Sequence, residues 1–216
     1  MMITAHGGAL KTGRNTTEYF DAMTGYSMEA VEVDIRLQKG VLVLAHFLPP
    51  FFKKNAVRLE DVFEYCKKNN FKVNCDVKEK GMVAPVLALA KACGASEYLY
   101  FTGNVMPYEI EDLTDGAVFV NTHFYEKEIP LKAENLAAIK KYLESFGNAR
   151  IYGINIPYRY ADDAFLAEAE RIGLKLSVYT VDDAALLERL IKRGVYNITT
   201  NTVDTALNIR EALNGK

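Results

Sequence analysis

Ala30-Val31-Glu32-Val33-Asp34-Ile35-Arg36, followed by Val41-Leu42-Val43-Leu44-Ala45-His46, is the stretch on which the reading of this chain turns. Apolar β-branched residues at 31, 33 and 35 mark an extended segment, and a period of two puts Glu32 and Asp34 together on its other face. Two carboxylates about 6 to 7 Å apart along a strand repel by roughly 2 to 3 kcal/mol at an effective dielectric near 20. A buried pair therefore asks for a cation. The alternative is an ordinary strand with one solvated face. The run from Val41 to His46 reads as a hairpin-like extension of the same unit.

Outward from this stretch the chain alternates. Short apolar runs recur near residues 2–5, 30–35, 71–77, 97–101, 117–121, 151–156, 174–180 and 196–200. Between them lie segments with helical spacing: Thr16–Tyr26, Leu59–Asn69, Val83–Cys93, Tyr108–Leu113, Ala133–Phe146, Asp162–Ile172, Asp183–Arg193 and Val203–Leu213. Gly94, Gly147, Gly173 and Gly194 stand just past helices, and Asp182 and Asn201 stand where N-caps are expected. Strict βα alternation predicts a parallel sheet with right-handed crossovers, and eight units favour a closed (β/α)8 TIM barrel over an open sheet. The helix at Tyr108–Leu113 has the weakest pattern. No repeat, low-complexity tract or linker interrupts the alternation, so residues 1–216 read as one domain.

Composition sets limits on function. The chain has 216 residues, half of them hydrophobic, enough for one large core. Twenty-six basic against 28 acidic residues leave a net charge of -2, which gives no electrostatic reason to expect nucleic acid or an anionic membrane as partner. Cys66, Cys75 and Cys93 lack metal-ligand spacing and read as reduced residues of a cytoplasmic protein. The run Met2-Ile3-Thr4-Ala5 reads as a strand rather than as a secretory segment, and no apolar run of membrane length is expected among residues 1–216.

In such a barrel the carboxyl ends of the strands converge on one mouth. His6 closes the first strand, Glu32 and Asp34 lie in the second, His46 ends its extension, and Asp76 and Lys78 share a face of the third. Three acids, two histidines and a lysine are thus expected to meet. Oxygen ligands with the histidines left free suit Mg²⁺ or Ca²⁺ better than zinc or copper. Acids placed on opposite sides of the molecule, or a salt link filling the gap between them, would contradict this arrangement.

The order His6-Gly7-Gly8, Arg14-Asn15-Thr16, Glu32-Val33-Asp34, His46, Asp76-Val77-Lys78, Tyr179-Thr180-Val181-Asp182 and Gly194 through Asn201 resembles the glycerophosphodiester phosphodiesterases. That family's signatures have the form H-R-G, E-N-T, E-x-D, H-D, E-x-K, W-T-V-N and G-[VA]-D-x-I-x-T-D. The resemblance runs nearly end to end and implies a barrel of the phospholipase C-like phosphodiesterase type. It implies a metal-dependent hydrolase that cleaves a small-molecule glycerophosphodiester, or a related diester, to an alcohol and a phosphomonoester such as glycerol 3-phosphate. By the same resemblance His6 and His46 are general acid and base in an order left open. Glu32, Asp34 and Asp76 hold a divalent cation, Mg²⁺ or Ca²⁺, and Lys78 neutralises phosphate charge.

The departures define further expectations. Gly7 replaces the arginine of H-R-G, which removes a bidentate phosphate contact, and Arg14 replaces the glutamate of E-N-T. Arg14 is accordingly expected to return positive charge to the mouth and bind substrate, with Lys11 as the other candidate. Phe47 replaces the acid after the second histidine, so any carboxylate orienting His46 must come from elsewhere. Asp76 replaces a glutamate and shortens the reach by about 1.5 Å. Asp182 and Asn201 replace an asparagine and an aspartate, exchanges expected to affect packing and capping more than chemistry. The insertion after the second histidine is cut to Phe47–Arg58, whose Leu48–Lys54 reads as a small lid or a packed loop. A more open site with broad or unusual preference follows. His123 follows the fifth strand, where it could face the mouth with Asn121, and Tyr125, Tyr158 and Tyr160 follow strands where they could line a pocket, but structural use is the expectation for all four. Two alternatives remain: a barrel that binds metal or phosphorylated ligand without turnover, and a lipid-cleaving relative, which the lack of a basic amphipathic segment disfavours.

Overall fold

The computed structural model describes residues 1–47, 56–111, 113, 116–147 and 150–215. Nine strands are formed: β1 (Met2–Ala5), β2 (Ala30–Gln38), β3 (Val41–Leu44), β4 (Lys72–Val77), β5 (Leu99–Gly103), β6 (Val118–Asn121), β7 (Ile151–Pro157), β8 (Lys175–Tyr179) and β9 (Asn197–Thr200). Eight are parallel, and β1 pairs with both β2 and β9, so the sheet closes on itself. The ninth, β3, folds back antiparallel on the outer half of β2, as the hairpin-like run predicts. The result is the eight-stranded TIM barrel.

The helices are α1 (Thr17–Met23), α2 (Leu59–Asn69), α3 (Val83–Ala92), α4 (Pro107–Glu111), α5 (Leu136–Glu144), α6 (Asp163–Arg171), α7 (Ala184–Lys192) and α8 (Val203–Asn214). Asp162 and Asp183 accept hydrogen bonds from Phe165 N and Leu186 N at 2.8 Å, capping α6 and α7. This corrects two expected caps. Asp183 rather than Asp182 starts α7, and α8 follows Thr202, whose side chain makes no cap bond, rather than Asn201. Asn201 lines the mouth instead, and Asp182 accepts hydrogen bonds from it. The Leu48–Lys54 segment lies outside the described residues.

Strand alternation explains the core. Val31, Val33 and Ile35 are fully buried in the large apolar cluster that joins the outside of the barrel to the helices. The even-numbered face of β2 points into the barrel, so its polar residues are buried as well: Glu32 and Asp34 are each 3% exposed. The solvated-face reading of this strand therefore fails. Tyr100 and Phe119 pack with Ala30 and Ala117 toward the amino-terminal end. Above them the interior is held by hydrogen bonds rather than by apolar contact. Thr4 Oγ1 donates to Asn197 Oδ1 at 2.7 Å, Asn197 Nδ2 to Ser177 Oγ at 2.9 Å, and Thr102 Oγ1 to Asn74 Oδ1 at 2.9 Å. Such groups are tolerable in a closed barrel only because they satisfy one another.

No helix among the described residues is long and apolar enough to cross a membrane. Cys66 and Cys75 are buried and Cys93 is partly exposed; all three are free. Burial pushes the Cys66 thiol up to about 12 and raises Cys75 well above its ordinary value. A thiol reagent at pH 8 should therefore label Cys93 in the folded protein and reach Cys66 and Cys75 only on denaturation. Peptide mass spectrometry reads the order; prompt labelling of Cys75 would contradict the packing of β4.

Candidate active site

Parallel pairing of β2 with β4 sets Asp34 directly beside Asp76 and Glu32 beside Asn74. One ligand atom from each of Glu32, Asp34 and Asp76 lies within 4.8 Å of the others, close enough to share an ion. These acids line a mouth of about 610 Å³ at the carboxyl end of the barrel, together with His6, His46, Arg14 and Lys78. The structure thus brings together all seven residues singled out in the sequence.

Asp34 is the hub. Its Oδ1 lies 2.6 Å from Lys78 Nζ and 3.1 Å from His46 Nδ1. Its Oδ2 accepts from Asn15 Nδ2 at 2.8 Å, while its own N–H donates to Asn15 Oδ1 at 3.1 Å. Burial works against ionisation of Asp34, but Lys78, Asn15 and His46 outweigh it and hold the carboxyl below its usual value. The carboxylate beside His46 is thus supplied by Asp34 in place of the acid lost at Phe47. His46 Nδ1 is buried and lies off the line of a hydrogen bond to that oxygen. The Asn15 clamp was not anticipated from sequence, although the asparagine of the E-N-T motif was in view. Its left-handed backbone, φ 57, is one asparagine accepts more readily than most residues.

Glu32 is different. Burial first, then the charges of Asp34 and Asp76, raise its carboxyl well above the ordinary range, with Lys78 and the Gly7 N–H opposing. The Gly7 N–H donates to Glu32 Oε2 at 2.6 Å. A Cβ at position 7 would stand 3.0 Å from that oxygen and 3.1 Å from the Glu32 carbonyl. Glycine here lets the backbone grip Glu32, so the arginine of H-R-G has no room unless Glu32 moves. Arg14 lines the rim instead, near enough to disfavour protonation of His6.

Lys78 Nζ lies 2.5 Å from Asp76 Oδ2 as well as 2.6 Å from Asp34 Oδ1. A salt link therefore does cross part of the gap expected to stand open. It spans the Asp34–Asp76 edge and does not include Glu32. Three carboxylates against one ammonium leave two negative charges when all are ionised, and Glu32 and Asp76 are both pushed toward the protonated form, first by burial. A hard divalent cation fits this donor set in charge and in ligand type. Lys78 is the adjustable member, since its flexible stem can swing the ammonium toward a ligand.

His6 Nδ1 lies 2.9 Å from Asn201 Oδ1. Asn201 in turn donates through Nδ2 and its backbone N–H to the two oxygens of Asp182, at 2.8 and 2.7 Å. An ionised carboxylate only accepts, so Asp182 fixes the amide orientation and Asn201 presents its oxygen to His6. The proton of neutral His6 then sits on Nδ1, leaving Nε2 bare, 4.0 Å from Glu32 Oε2. Burial lowers the His6 pKa, partly offset by the Asn201 bond. This corrects the expectation that Asp182 and Asn201 serve packing and capping: they orient the imidazole. His123 is exposed and lines the mouth with Asn121 and Asn155. Tyr125 is buried and Tyr158 exposed, and neither lines the mouth.

No protein-family model matches the sequence. No curated protein matches it. Solved structures do. A candidate glycerophosphoryl diester phosphodiesterase from Agrobacterium tumefaciens superposes with a TM-score of 0.81 at 18% identity, covering 100% of this chain and 99% of that one. A glycerophosphodiester phosphodiesterase from Parabacteroides distasonis gives 0.76 at 18%, over 99% and 98%. An Oleispira antarctica phosphodiesterase in complex with the product sn-glycerol-3-phosphate gives 0.76 at 15%, over 96% and 97%. At these identities the likeness establishes the fold.

Proposed function

We propose that this barrel is a divalent-cation-dependent phosphodiester hydrolase that cleaves a glycerophosphodiester or a related small diester to an alcohol and a phosphomonoester. The observation that carries the reading is convergence: the residues picked out by motif order line one mouth of a barrel shaped like those of named phosphodiesterases. Glu32, Asp34 and Asp76 are the residues that would hold the cation, Mg²⁺ or Ca²⁺. Such an ion is a Lewis acid toward phosphate oxygens.

The chain's own groups supply the rest. His6, with Nδ1–H committed to Asn201, has a bare Nε2 suited to take the proton of an attacking water or substrate hydroxyl. His46, beside Asp34, is the group assigned to protonate the leaving oxygen. Lys78 and Arg14 meet the negative charge of the phosphoryl group, and burial of the acids beneath it strengthens each of these interactions.

Purified protein with Mg²⁺ or Ca²⁺ should release glycerol 3-phosphate from a panel of glycerophosphodiesters. EDTA should abolish the release, and His6→Ala should lower it by about 100-fold or more. A second reading, a barrel that holds metal and phosphate ester without turnover, is favoured by the Lys78 link across the Asp34–Asp76 edge. Metal binding by calorimetry with no product from any diester would establish that reading instead.

A further inference from the structure

Arg36 is the next residue after Glu32 and Asp34 on the inward face of β2, and its side chain is only 12% exposed. It stands one residue beyond the last pair that β2 makes with β4, opposite Val43 of β3. There it joins the two segments that carry His46 and Lys78. Nη1 donates to Glu79 Oε1 at 2.8 Å, and Nη2 donates to the His46 carbonyl oxygen at 3.1 Å. Glu79 follows Lys78 directly, and the Lys78 N–H donates to the Ile35 carbonyl at 3.1 Å, so that segment is pinned to the same stretch of β2. The His46 side has less support. Ala45 N–H donates to the Asp34 carbonyl at 2.9 Å, and beyond it the Arg36 bond is the only one on the His46 main chain among the described residues. The imidazole is held more weakly still: its Nδ1 lies off the line of a hydrogen bond to Asp34 Oδ1, and the exposed Phe47 ring meets it edge-on with centroids 4.5 Å apart. The Arg36 Nε–H is buried and has no partner among the described residues, a cost that an arginine placed for stability alone has no reason to carry.

We propose that Arg36 is a positioning residue: its fork fixes the main chain of His46 and ties it to the Lys78 segment through Glu79, so that the imidazole stands where it can protonate the leaving oxygen. The inference rests on the phosphodiesterase reading and adds to it a residue that touches no substrate. Arg36 is not among the residues lining the mouth, so its effect on the reaction passes through His46. A planar guanidinium can serve a carboxylate and a carbonyl at once from fixed directions, whereas a lysine ammonium on a flexible stem cannot hold both in register. The demand on position is steep, because a displacement of about 1 Å at a reacting group costs about 100-fold. Help from a general acid also depends on what leaves. An alkoxide needs the proton as the bond breaks, while a p-nitrophenolate is a stable anion that departs without it. Loosening His46 therefore has a signature that general damage to the barrel lacks.

The test compares turnover of an alkyl diester, glycerophosphocholine, with that of an aryl one, bis(p-nitrophenyl) phosphate, both with Mg²⁺. His46→Ala sets the reference: kcat on the alkyl diester should fall by about 100-fold or more, and on the aryl diester by roughly tenfold less. Arg36→Ala should show the same pattern at smaller size, with alkyl kcat down by about 30-fold, KM within about threefold, and the alkyl-to-aryl ratio of kcat lowered by about tenfold. Arg36→Lys, which keeps the charge and most of the volume, should share the pattern and carries the comparison if Arg36→Ala does not fold. Added to His46→Ala, either Arg36 substitution should cost less than about twofold more, because the group it positions is already gone. Calorimetric Mg²⁺ binding, which does not involve His46 in this reading, should stay within about threefold of native in every variant. Equal losses on the two diesters, full additivity with His46→Ala, or native kcat in both Arg36 variants would overturn the inference while leaving the hydrolase standing. No turnover of either diester by the native protein would remove the phosphodiesterase reading and this role with it.

Discussion

Asp34→Asn should lower diester turnover by about a thousandfold or more while moving the melting temperature by only a few degrees. The size follows from how many functions pass through one carboxylate. Asp34 is one of three candidate cation ligands, it faces His46, and it takes half of the Lys78 charge. Loss of general acid assistance alone costs about 100- to 10,000-fold, and loss of a group that orients a metal ligand a further 10- to 100-fold. The fold has less at stake. The amide's one oxygen can serve Asn15 or Lys78 but not both, yet Lys78 keeps Asp76, and Glu32 loses a repelling neighbour. A stability change of about 1 kcal/mol either way is expected. Product release and a thermal melt on the same preparation check both halves. Turnover within tenfold of the native value would show that the chemistry does not run through Asp34.

The same residue shows what could be read from sequence and what could not. Alternation of Val31, Val33 and Ile35 with two acids gave the strand and the shared face, and Asp76-Val77-Lys78 gave its neighbour, because both signals are local and have period two. That Asp34 lies directly beside Asp76 is a matter of register between strands 42 positions apart in the sequence, which closure of the barrel decides. Asn15 was part of a recognised motif but had no role until the loop after β1 folded over β2. The Asp182–Asn201–His6 chain joins residues 195 positions apart, and the exchange of acid and amide looked like ordinary capping as long as only helix starts were in view. His123 follows a strand run, which puts it within reach of the mouth; that it lines the mouth with Asn121 and Asn155 is decided only by closure of the barrel.

Lys78→Met should make the stability of the fold depend on a divalent cation. In the native chain the ammonium lies between Asp34 and Asp76, with side-chain exposures of 17%, 4% and 22%. Removing it leaves Glu32, Asp34 and Asp76 with no cation from the protein inside their cluster. Breaking a buried pair in this way costs about 3 kcal/mol or more, which lowers the melting temperature of a domain this size by roughly 6 to 12 °C. The loss depends on pH with a definite sign. Glu32 and Asp76 have folded-state pKa values raised above the ordinary carboxylate range, so the folded state binds protons more readily than the unfolded chain, and stability rises as pH falls. The deficit of Lys78→Met is therefore greatest near pH 8 and shrinks toward pH 5. At pH 8, Mg²⁺ or Ca²⁺ at about 100 times its dissociation constant should return about 2.7 kcal/mol, close to the whole loss, while Na⁺ at equal ionic strength should not. The native protein should gain less, because Lys78 already neutralises one edge of the cluster. If Lys78→Met melts like the native chain without divalent ions, or if Mg²⁺ and Ca²⁺ leave its melting temperature where Na⁺ does, the three acids are not a cation site and the phosphodiesterase reading loses its metal.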